Sequence, residues 1–431
     1  MKKPRLLGLA AAAALAASLA ACTPSTPTTP SSPNSPAASP EGSPSAPTAV
    51  GPLTVWVMGD SATNFDELVK PFEDATGADV TTVAIPWDAI DQKFTTAVAS
   101  GDGPDLLQIG LSKLRTFASS GALLTLDDAT VAGYPNLAAS NFIDGIAGEA
   151  TAIDGAVQSL PWVADTRVLF YRSDILSEAG FDAPPATWEE LRATAKKLAE
   201  RGPDSYGYYI PQWDSPLPVT MTRAYGGDPV GADGTINFDT PEFAKAVDLY
   251  TGLYADGSVP TNSDFDQTQG FISGATPMLV SGPYLAAAIK DAAPDLDGKW
   301  NVSVLPKETA GTSLLAGSNL GIWGATKNKE GALALADYLS DPATQVKWFE
   351  INGELPTAKA ALGDATLAAD PLVAVYSAQL ADAKLLPLVP NWDGETGKAL
   401  LDALNSIVLT GTDRAQGLDG LFTATTGTPA R

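Results

Sequence analysis

The sequence predicts an α/β protein of two domains, the first of them doubly wound. Apolar segments of strand length alternate with amphipathic segments of helical period, which is typical of a mostly parallel sheet covered by helices. About 380 residues follow Val50, and a chain of this length exceeds what a single hydrophobic core usually holds. Pattern and length together indicate two α/β units in one chain.

The first unit is predicted by a β-α-β-α-β alternation over residues 53–109. Its first helix begins at Asn64, and Glu67 three residues later has the spacing of a capping box. In doubly wound sheets, ligands bind beyond the carboxyl ends of the strands. Asp60, Trp87 and Gly110–Lys113 follow predicted strands in this way. The predicted elements are strand Leu53–Met58, helix Asn64–Thr76, strand Asp79–Ile85, helix Ile90–Ser100 and strand Leu106–Ile109.

The segment Ser159–Asp174 contains charged residues beside a strand that should be buried. Val168–Tyr171 is an apolar run of strand composition, and Trp162, Asp165 and Arg167 come just before it. An unpaired buried charge is costly, so the acid and the base need partners. Asp165 and Arg167 can pair with each other, or Asp165 can contact a ligand, and the residues alone leave both open.

The elements that follow continue the alternation. A capping box at Thr187 and Glu190 begins a helix that Gly202 ends. The Gly-rich segment Leu315–Trp323 is expected to cross between the domains. The other predicted elements are strand Tyr206–Pro211, helix Pro241–Ala255, strand Met278–Val280, a helix from Asp341 and a closing helix Gly397–Leu409.

The N-terminus predicts secretion and a lipid anchor. Residues 1–21 form a signal peptide, with a basic start, an Ala/Leu-rich core and small residues at the end. The only cysteine of the chain, Cys22, follows directly in Leu-Ala-Ala-Cys, which looks like a bacterial lipobox. Residues 22–50 are rich in Pro, Ser and Thr and are expected to be a disordered tether. The alternative is ordinary cleavage of the signal peptide, with a cysteine at this position by chance.

Composition excludes several classes of site. The chain has no histidine and one cysteine, so zinc sites and histidine-based catalysis are not expected. The formal net charge of −24 repels nucleic acid and anionic lipid. No metal or cofactor is expected, and solubility outside the cell is a sufficient reason for the acidity.

Six short sequence motifs, in order along the chain, resemble those of the bacterial extracellular solute-binding proteins of the maltose-binding type, family 1. Proteins of this family serve ABC importers of sugars. Each motif is weak alone, and the ordered set is specific. The resemblance covers residues 51 to about 425. The motifs are Trp56–Asp60, Ser100–Asp105, Leu160–Arg167, Pro185–Leu191, Ser281–Tyr284 and Gly317–Leu320.

The resemblance implies two doubly wound α/β lobes joined by crossing hinge segments, the periplasmic-binding-protein-like type II architecture. It implies lobe one from residues 51–160 with 276–322, and lobe two from 161–275 with 323–431. The lobes are expected to close on a ligand held between them. The chain departs from the maltose binder at Leu111–Lys113, where that protein has an Asp-Arg pair. Trp87 likewise stands where it has charged residues, so a different sugar is expected.

The resemblance and the supply of aromatic residues together give the candidate ligand contacts. Sugar recognition uses flat aromatic faces and planar carboxylates or amides. The resemblance carries a ligand-contacting acid onto Asp165 and stacking aromatics onto Tyr284 and the loop of Trp392. Trp87 is added for its predicted loop position. Polar contacts are expected at Asp60, Gln212, Trp213 and Asp214, and close backbone approach at Gly317, Ser318 and Asn319.

Each candidate has a structural alternative. The tryptophans can pack in a core, Asp60 can cap the next segment, and the small residues Gly317–Asn319 suit a hinge equally well. Asp393 and Glu395 beside Trp392 are expected in a solvated turn. Packing roles are expected for Trp56, Trp188, Trp300 and Trp348.

The expected function is a monomeric, membrane-anchored substrate-binding component of an ABC importer. It captures a mono- or oligosaccharide at the outer face of the cytoplasmic membrane and delivers it to the permease subunits. An enzyme is not expected, although a secreted carbohydrate-active hydrolase would also carry many acids and tryptophans. A binding lipoprotein for an amine or peptide is the other alternative.

Overall fold

A computed structural model describes residues 50–143, 146–148, 150–262 and 264–430. The predicted signal, Cys22 and nearly all of the tether lie outside these residues. Among the described residues, no helix combines the length and the apolar character that crossing a membrane requires.

The described chain contains twelve strands, and the alternation predicted for residues 53–109 is present with nearly the predicted bounds. The strands are β1 (Pro52–Met58), β2 (Asp79–Ile85), β3 (Leu106–Gly110), β4 (Ala152–Ile153), β5 (Ala156–Val157), β6 (Leu160–Thr166), β7 (Val168–Tyr171), β8 (Met278–Ser281), β9 (Asn301–Ser303), β10 (Ser313–Ile322), β11 (Leu355–Pro356) and β12 (Ala383–Leu385).

Sixteen α-helices are found in the same described part. They are α1 (Ala62–Thr76), α2 (Ile90–Ser100), α3 (Leu114–Ser119), α4 (Asp128–Val131), α5 (Ser173–Glu178), α6 (Trp188–Ala199), α7 (Pro216–Ala224), α8 (Pro241–Ala255), α9 (Gln267–Ser273), α10 (Pro283–Ala292), α11 (Lys329–Ser340), α12 (Pro342–Asn352), α13 (Ala365–Ala369), α14 (Pro371–Leu380), α15 (Thr396–Thr410) and α16 (Arg414–Thr425). The capping box at the start of α6 is formed as predicted, since Thr187 accepts from the amide of Glu190 and Glu190 accepts from that of Thr187.

The larger sheet has the order β11-β6-β10-β3-β1-β2, with β12 beside β10. β1 pairs in parallel with β2 and β3, so their carboxyl ends lie at one edge. β10 runs antiparallel to β3 and β6. The Gly-rich segment expected to be a crossing is therefore a central strand of this sheet.

A three-stranded sheet, called the smaller sheet below, has the order β8-β7-β9, and β4 and β5 form a separate two-stranded sheet. Only Arg167 separates β6 in the larger sheet from β7 in the smaller one, so the chain passes between sheets at a single residue. β7 pairs antiparallel with both neighbours.

Three segments differ from the sequence expectations. The strand predicted at Tyr206–Pro211 forms only an isolated bridge at Tyr209, because neighbouring amides donate to Ala275, Ser258 and Met278 in turn instead of to one strand. β8, expected in lobe one, pairs with β7. Helices α11 and α12, expected in lobe two, pack with α1 against the larger sheet. The remaining lobe boundaries stay predictions.

Four hydrophobic clusters hold these layers together. The first-face cluster, with Phe65, Trp162 and Trp348, packs α1, α11 and α12 on the larger sheet. The second-face cluster, with Phe94 and Phe117, packs α2 and α3 on its other face. The helical cluster joins α6, α7, α8 and α15. The central cluster contains residues of both sheets and of α14.

Candidate functional site

Trp87 lies across the carboxyl ends of β1 and β3, where the sheet topology predicts a ligand. Two glycines make room for its indole. A Cβ on Gly59 would lie 2.6 Å from the indole Nε1, and one on Gly110 would lie 2.8 Å from Cζ3. The ring nevertheless stays 45% exposed. Trp87 is therefore a supported aromatic surface at the strand ends, and Asp60 lies in the adjacent 3₁₀ turn Gly59–Ser61.

Asp165 is near the end of β6 and packs against the start of α10. A Cβ on Gly282, the residue before that helix, would lie 2.6 Å from Asp165 Oδ1, so glycine is needed for this approach. Arg167 Nη2 is 4.0 Å from Asp165 Oδ2. Burial raises the pKa of Asp165, and the charge of Arg167 opposes this only in part. The Asp165–Arg167 pairing is thus present but long.

Tyr284 is an aromatic residue that shares the neighbour Arg167 with this acid. Its phenol oxygen accepts hydrogen bonds from Arg167 Nη1 at 2.9 Å and from Ser281 Oγ at 3.0 Å. The guanidinium Cζ lies 5.3 Å from the ring centroid. The side chain is held at its polar end, and the residue remains 38% exposed.

Trp213 and Asp214 come from the loop before α7. Trp213 is the most exposed large hydrophobic residue in the described chain, at 58%. Asp214 is buried, and burial raises its pKa to about 6, against the lowering effects of Arg167 and the Leu217 amide. Arg167 therefore interacts electrostatically with both Asp165 and Asp214. Gln212 uses its side-chain amide within the protein, donating to the Thr261 carbonyl at 3.1 Å.

Glu354 is a further acid of this region that the sequence reasoning did not single out. Its carboxylate accepts from Trp348 Nε1 at 2.6 Å and from Ser61 Oγ at 3.2 Å. Burial raises its pKa, and the nearby charge of Asp165 adds to the effect. Glu354 directly precedes the short buried strand β11, and an acid beside a buried strand is the same feature that made Asp165 a candidate.

Four of the predicted contacts make structural interactions instead. Trp392 is 1% exposed within the helical cluster, and its Nε1 donates to Ser215 Oγ at 2.9 Å, so its ring has a packing role. Gly317 has φ +119°, and a Cβ there would lie 2.0 Å from the Val163 carbonyl. Ser318 Oγ accepts from Gln108 at 3.0 Å. Asn319 donates to Ser159 Oγ at 2.8 Å. These contacts give all four residues a structural role within the fold, and a hinge role for Gly317–Asn319 stays a prediction.

Residues 57–346 match the family of bacterial extracellular solute-binding proteins. The chain belongs to this family. A binding protein of Brucella abortus (strain 2308) is 30% identical over 356 residues, which cover 80% of this chain and 84% of that protein. The diacetylchitobiose binding protein DasA of Streptomyces coelicolor is 27% identical over 356 residues, covering 79% and 80%.

Among solved structures, the sugar-binding protein MalE from Xanthomonas citri matches with a TM-score of 0.78. It is 27% identical, and the match covers 87% of this chain and 96% of that chain. The α/β class, the two-lobe type II architecture and the resemblance to maltose-binding-type proteins are confirmed. The relatives are binding proteins of transporters rather than enzymes.

One feature of this solute-binding protein departs from the sequence expectation for Asp393. Lys113, at the carboxyl end of β3, lies between Asp91 Oδ2 at 2.8 Å and Asp393 Oδ2 at 3.0 Å. Ser112 Oγ also donates to Asp393. Burial lowers the pKa of Lys113, but the two acids outweigh it and the net shift is upward. Asp393 therefore ties its loop to the larger sheet and is not simply solvated.

Replacing Asp214 by Asn should change how stability depends on pH. A carboxyl with a higher pKa in the folded than in the unfolded protein binds extra protons when folded, so its contribution weakens as pH rises. With a folded pKa of about 6 and an ordinary unfolded value, the window is about pH 4 to 6. As pH rises through this window, the unfolding free energy of the variant should increase by on the order of 2–3 kcal/mol relative to that of the parent.

Urea unfolding of both proteins at pH 4, 5, 6 and 7 measures this difference. Asp297→Asn, which makes the same substitution at an exposed position, is the matched control. If the difference in unfolding free energy between Asp214→Asn and the parent did not change with pH, the raised pKa of Asp214 would be contradicted.

Proposed function

We propose that this protein is the membrane-anchored sugar-binding component of an ABC importer. The proposal depends on which of the nine tryptophans are exposed to solvent, and all nine lie in the described part. Only Trp87 and Trp213 are exposed, and both were expected at the ligand site. Exposed aromatic rings beside carboxylates suit a pyranose, which offers a C–H face and hydroxyl donors.

The proposed ligand contacts are Trp87 and Asp165 on the side of the larger sheet, together with Tyr284 at the start of α10 and Trp213 and Asp214 in the loop before α7. Asp60 stays a proposed contact from its position at the end of β1. Binding would draw the two lobes together around the sugar, and the closed form would be recognised by the permease. DasA and MalE support a saccharide as the ligand class, because their names state diacetylchitobiose and sugar.

The remaining parts of the proposal concern location. Cys22 would carry the lipid, and the Pro/Ser/Thr-rich segment after it would hold a monomeric binding domain off the outer face of the cytoplasmic membrane. The permease subunits would be its only protein partners. A cationic amine is the second ligand class to test, because Asp165, Asp214 and Glu354 outnumber the nearby base, Arg167.

Calorimetric titration with mono- and oligosaccharides, a polyamine and a peptide tests the ligand class. We expect binding of a saccharide and none of the others. Tight binding of the polyamine with no saccharide binding would replace the sugar by an amine. Release of new reducing ends from a bound oligosaccharide would revive the hydrolase alternative.

Removing either exposed indole should weaken saccharide binding without unfolding the protein. Trp87→Ala and Trp213→Ala should each cost about 1–3 kcal/mol of binding free energy, since each removes an aromatic face of the proposed site. Thermal unfolding of the same samples separates a lost ligand contact from lost stability, because each residue is only partly exposed. Val98→Ala, at another exposed apolar position, is the control. Unchanged affinity in both tryptophan variants would move the site elsewhere.

Asp165→Ala should weaken saccharide binding by on the order of 2 kcal/mol or more, as for a lost charge-assisted hydrogen bond. Calorimetry gives the affinity, and thermal unfolding gives the stability of the same sample. An unchanged affinity with a lower melting temperature would assign Asp165 to the pairing with Arg167 alone.

Cys22→Ala should release the protein from membranes. The parent should incorporate labelled fatty acid in a bacterial host and sediment with membranes, whereas the variant should do neither. Membrane sedimentation of both proteins, compared by immunoblotting, measures the difference. A soluble, unlabelled parent would leave ordinary signal cleavage as the explanation for residues 1–22.

A further inference from the structure

Arg167 occupies the single-residue passage between the two sheets, and its backbone is held firmly there. Its amide donates to Ser313 Oγ at 3.2 Å, and that hydroxyl donates back to the Arg167 carbonyl at 2.7 Å. On the preceding residue, Thr166 Oγ1 donates to the Leu314 carbonyl at 2.8 Å. The side chain therefore projects from a fixed point on the chain.

The guanidinium of Arg167 lies close to two of the proposed ligand contacts, and its charge acts on a third, from three different elements. Tyr284 at the start of α10 accepts its hydrogen bond at 2.9 Å. Asp165 on β6 lies 4.0 Å away. Burial raises the pKa of Asp214, in the loop before α7, and the same charge offsets part of this effect. One cation thus connects residues that are far apart in the sequence.

The Arg167 side chain is 16% exposed, so water screens these interactions less than it would at the surface. A planar guanidinium can hold an oxygen acceptor with one nitrogen while presenting other nitrogens to a carboxylate, which a lysine ammonium does less precisely. This chemistry suits a residue that orients neighbours.

We propose that Arg167 is the positioning residue of the sugar site, holding Tyr284 and Asp165 in the arrangement that receives the ligand. The proposal rests on the proposed function, and it adds a residue that was not among the expected ligand contacts. Arg167 acts through its neighbours: it fixes the polar end of the Tyr284 ring, and its charge favours the ionised carboxylates that accept sugar hydroxyls.

Ser281 provides an independent way to test the anchoring of Tyr284. Its hydroxyl donates to the same phenol oxygen at 3.0 Å, and the residue is buried on β8. Replacing it by Ala removes one of the two anchors without touching either carboxylate. Gly282 allows the Tyr284 ring to lie in this place, since a Cβ there would lie 3.0 Å from Tyr284 Cε1.

Removal of Arg167 also has a consequence for pH. In the parent, saccharide affinity should fall as pH drops through about 6, because Asp214 takes up a proton. Without the guanidinium charge, the pKa values of Asp165 and Asp214 rise, so the fall should begin at a higher pH. The other ionisable groups facing this cluster are Tyr376 on α14, Glu354 before β11, and Tyr208 and Tyr250 next to Asp214. The tyrosines have raised pKa values and stay neutral over this range.

The test uses the full chain and calorimetric titration with diacetylchitobiose and maltose between pH 5 and 8. Arg167→Met should weaken saccharide binding about tenfold or more at pH 7 and move the acid-side loss of affinity to higher pH. Arg167→Lys should keep the parent pH profile but lose part of the affinity, because it keeps the charge and not the planar fork. Ser281→Ala should weaken binding about threefold with an unchanged pH profile.

Arg192→Met is the matched control, because Arg192 pairs with Asp256 and faces none of the proposed contacts. It should leave both affinity and pH profile at the parent values. A lower melting temperature in Arg167→Met, with parent affinity and parent pH profile, would make Arg167 merely structural and overturn the proposal. Loss of binding in Tyr284→Ala with no change in Ser281→Ala or Arg167→Met would also overturn it, while leaving the sugar function intact.

A second measurement does not need a ligand, so it separates this proposal from the proposed function. In protein labelled with 3-fluorotyrosine, the ¹⁹F resonance of Tyr284 is assigned by its absence in Tyr284→Phe. We expect that resonance to shift or broaden in Arg167→Met and in Ser281→Ala, and not in Arg192→Met. An unchanged Tyr284 resonance in Arg167→Met would overturn the positioning role even if no saccharide binds.

Discussion

The structure depends on how the chain passes from one sheet to the other between Thr166 and Val168. Leaving a sheet exposes backbone polar groups that no strand partner can satisfy, and such groups are costly when buried. Ser313, at the start of the central strand β10, satisfies the amide and the carbonyl of Arg167 together. Because β10 also pairs with β6 and β12, the passage is fixed to the middle of the larger sheet. The side chains on either side of it consequently have defined positions.

Several of the proposed ligand contacts, and Glu354 beside them, depart from the usual rules of stable folding. Asp165, Asp214 and Glu354 are carboxylates whose pKa values are raised by burial, with one arginine among them. Trp87 and Trp213 leave large apolar rings in solvent. Each feature lowers stability, since buried charge and exposed aromatic area are both unfavourable. Strongly perturbed carboxyls and exposed aromatic rings are features that a binding site for a polar ligand with an apolar face requires.

Local patterns predicted the parts of the fold in which neighbours in sequence interact. The strands β1 to β3, the helices α1 and α2 and the α6 capping box follow from periodicity and caps within short windows. Trp87 was predicted because a strand ends just before it. The role of Trp392 was not predictable in the same way, because its burial depends on Ser215, which is 177 residues away in the sequence. Glu354 similarly depends on Ser61 and Trp348, brought to it by the packing of α1 and α12.

The contact between the loop 387–395 and the larger sheet bears on how such a protein can open and close. Leu388 of this loop packs with the second-face cluster, whereas Val389 and Trp392 belong to the helical cluster. The loop is further tied by the amide of Asn391, which donates to Thr116 Oγ1, and by Asp393 on Lys113. Ion pairs with a half-exposed partner usually contribute no more than about 1 kcal/mol. A ligand shifts a conformational equilibrium only by its differential affinity for the two states, typically a few kcal/mol. The ion pair of Asp393 with Lys113 therefore contributes less than the differential affinity by which a ligand can shift such an equilibrium.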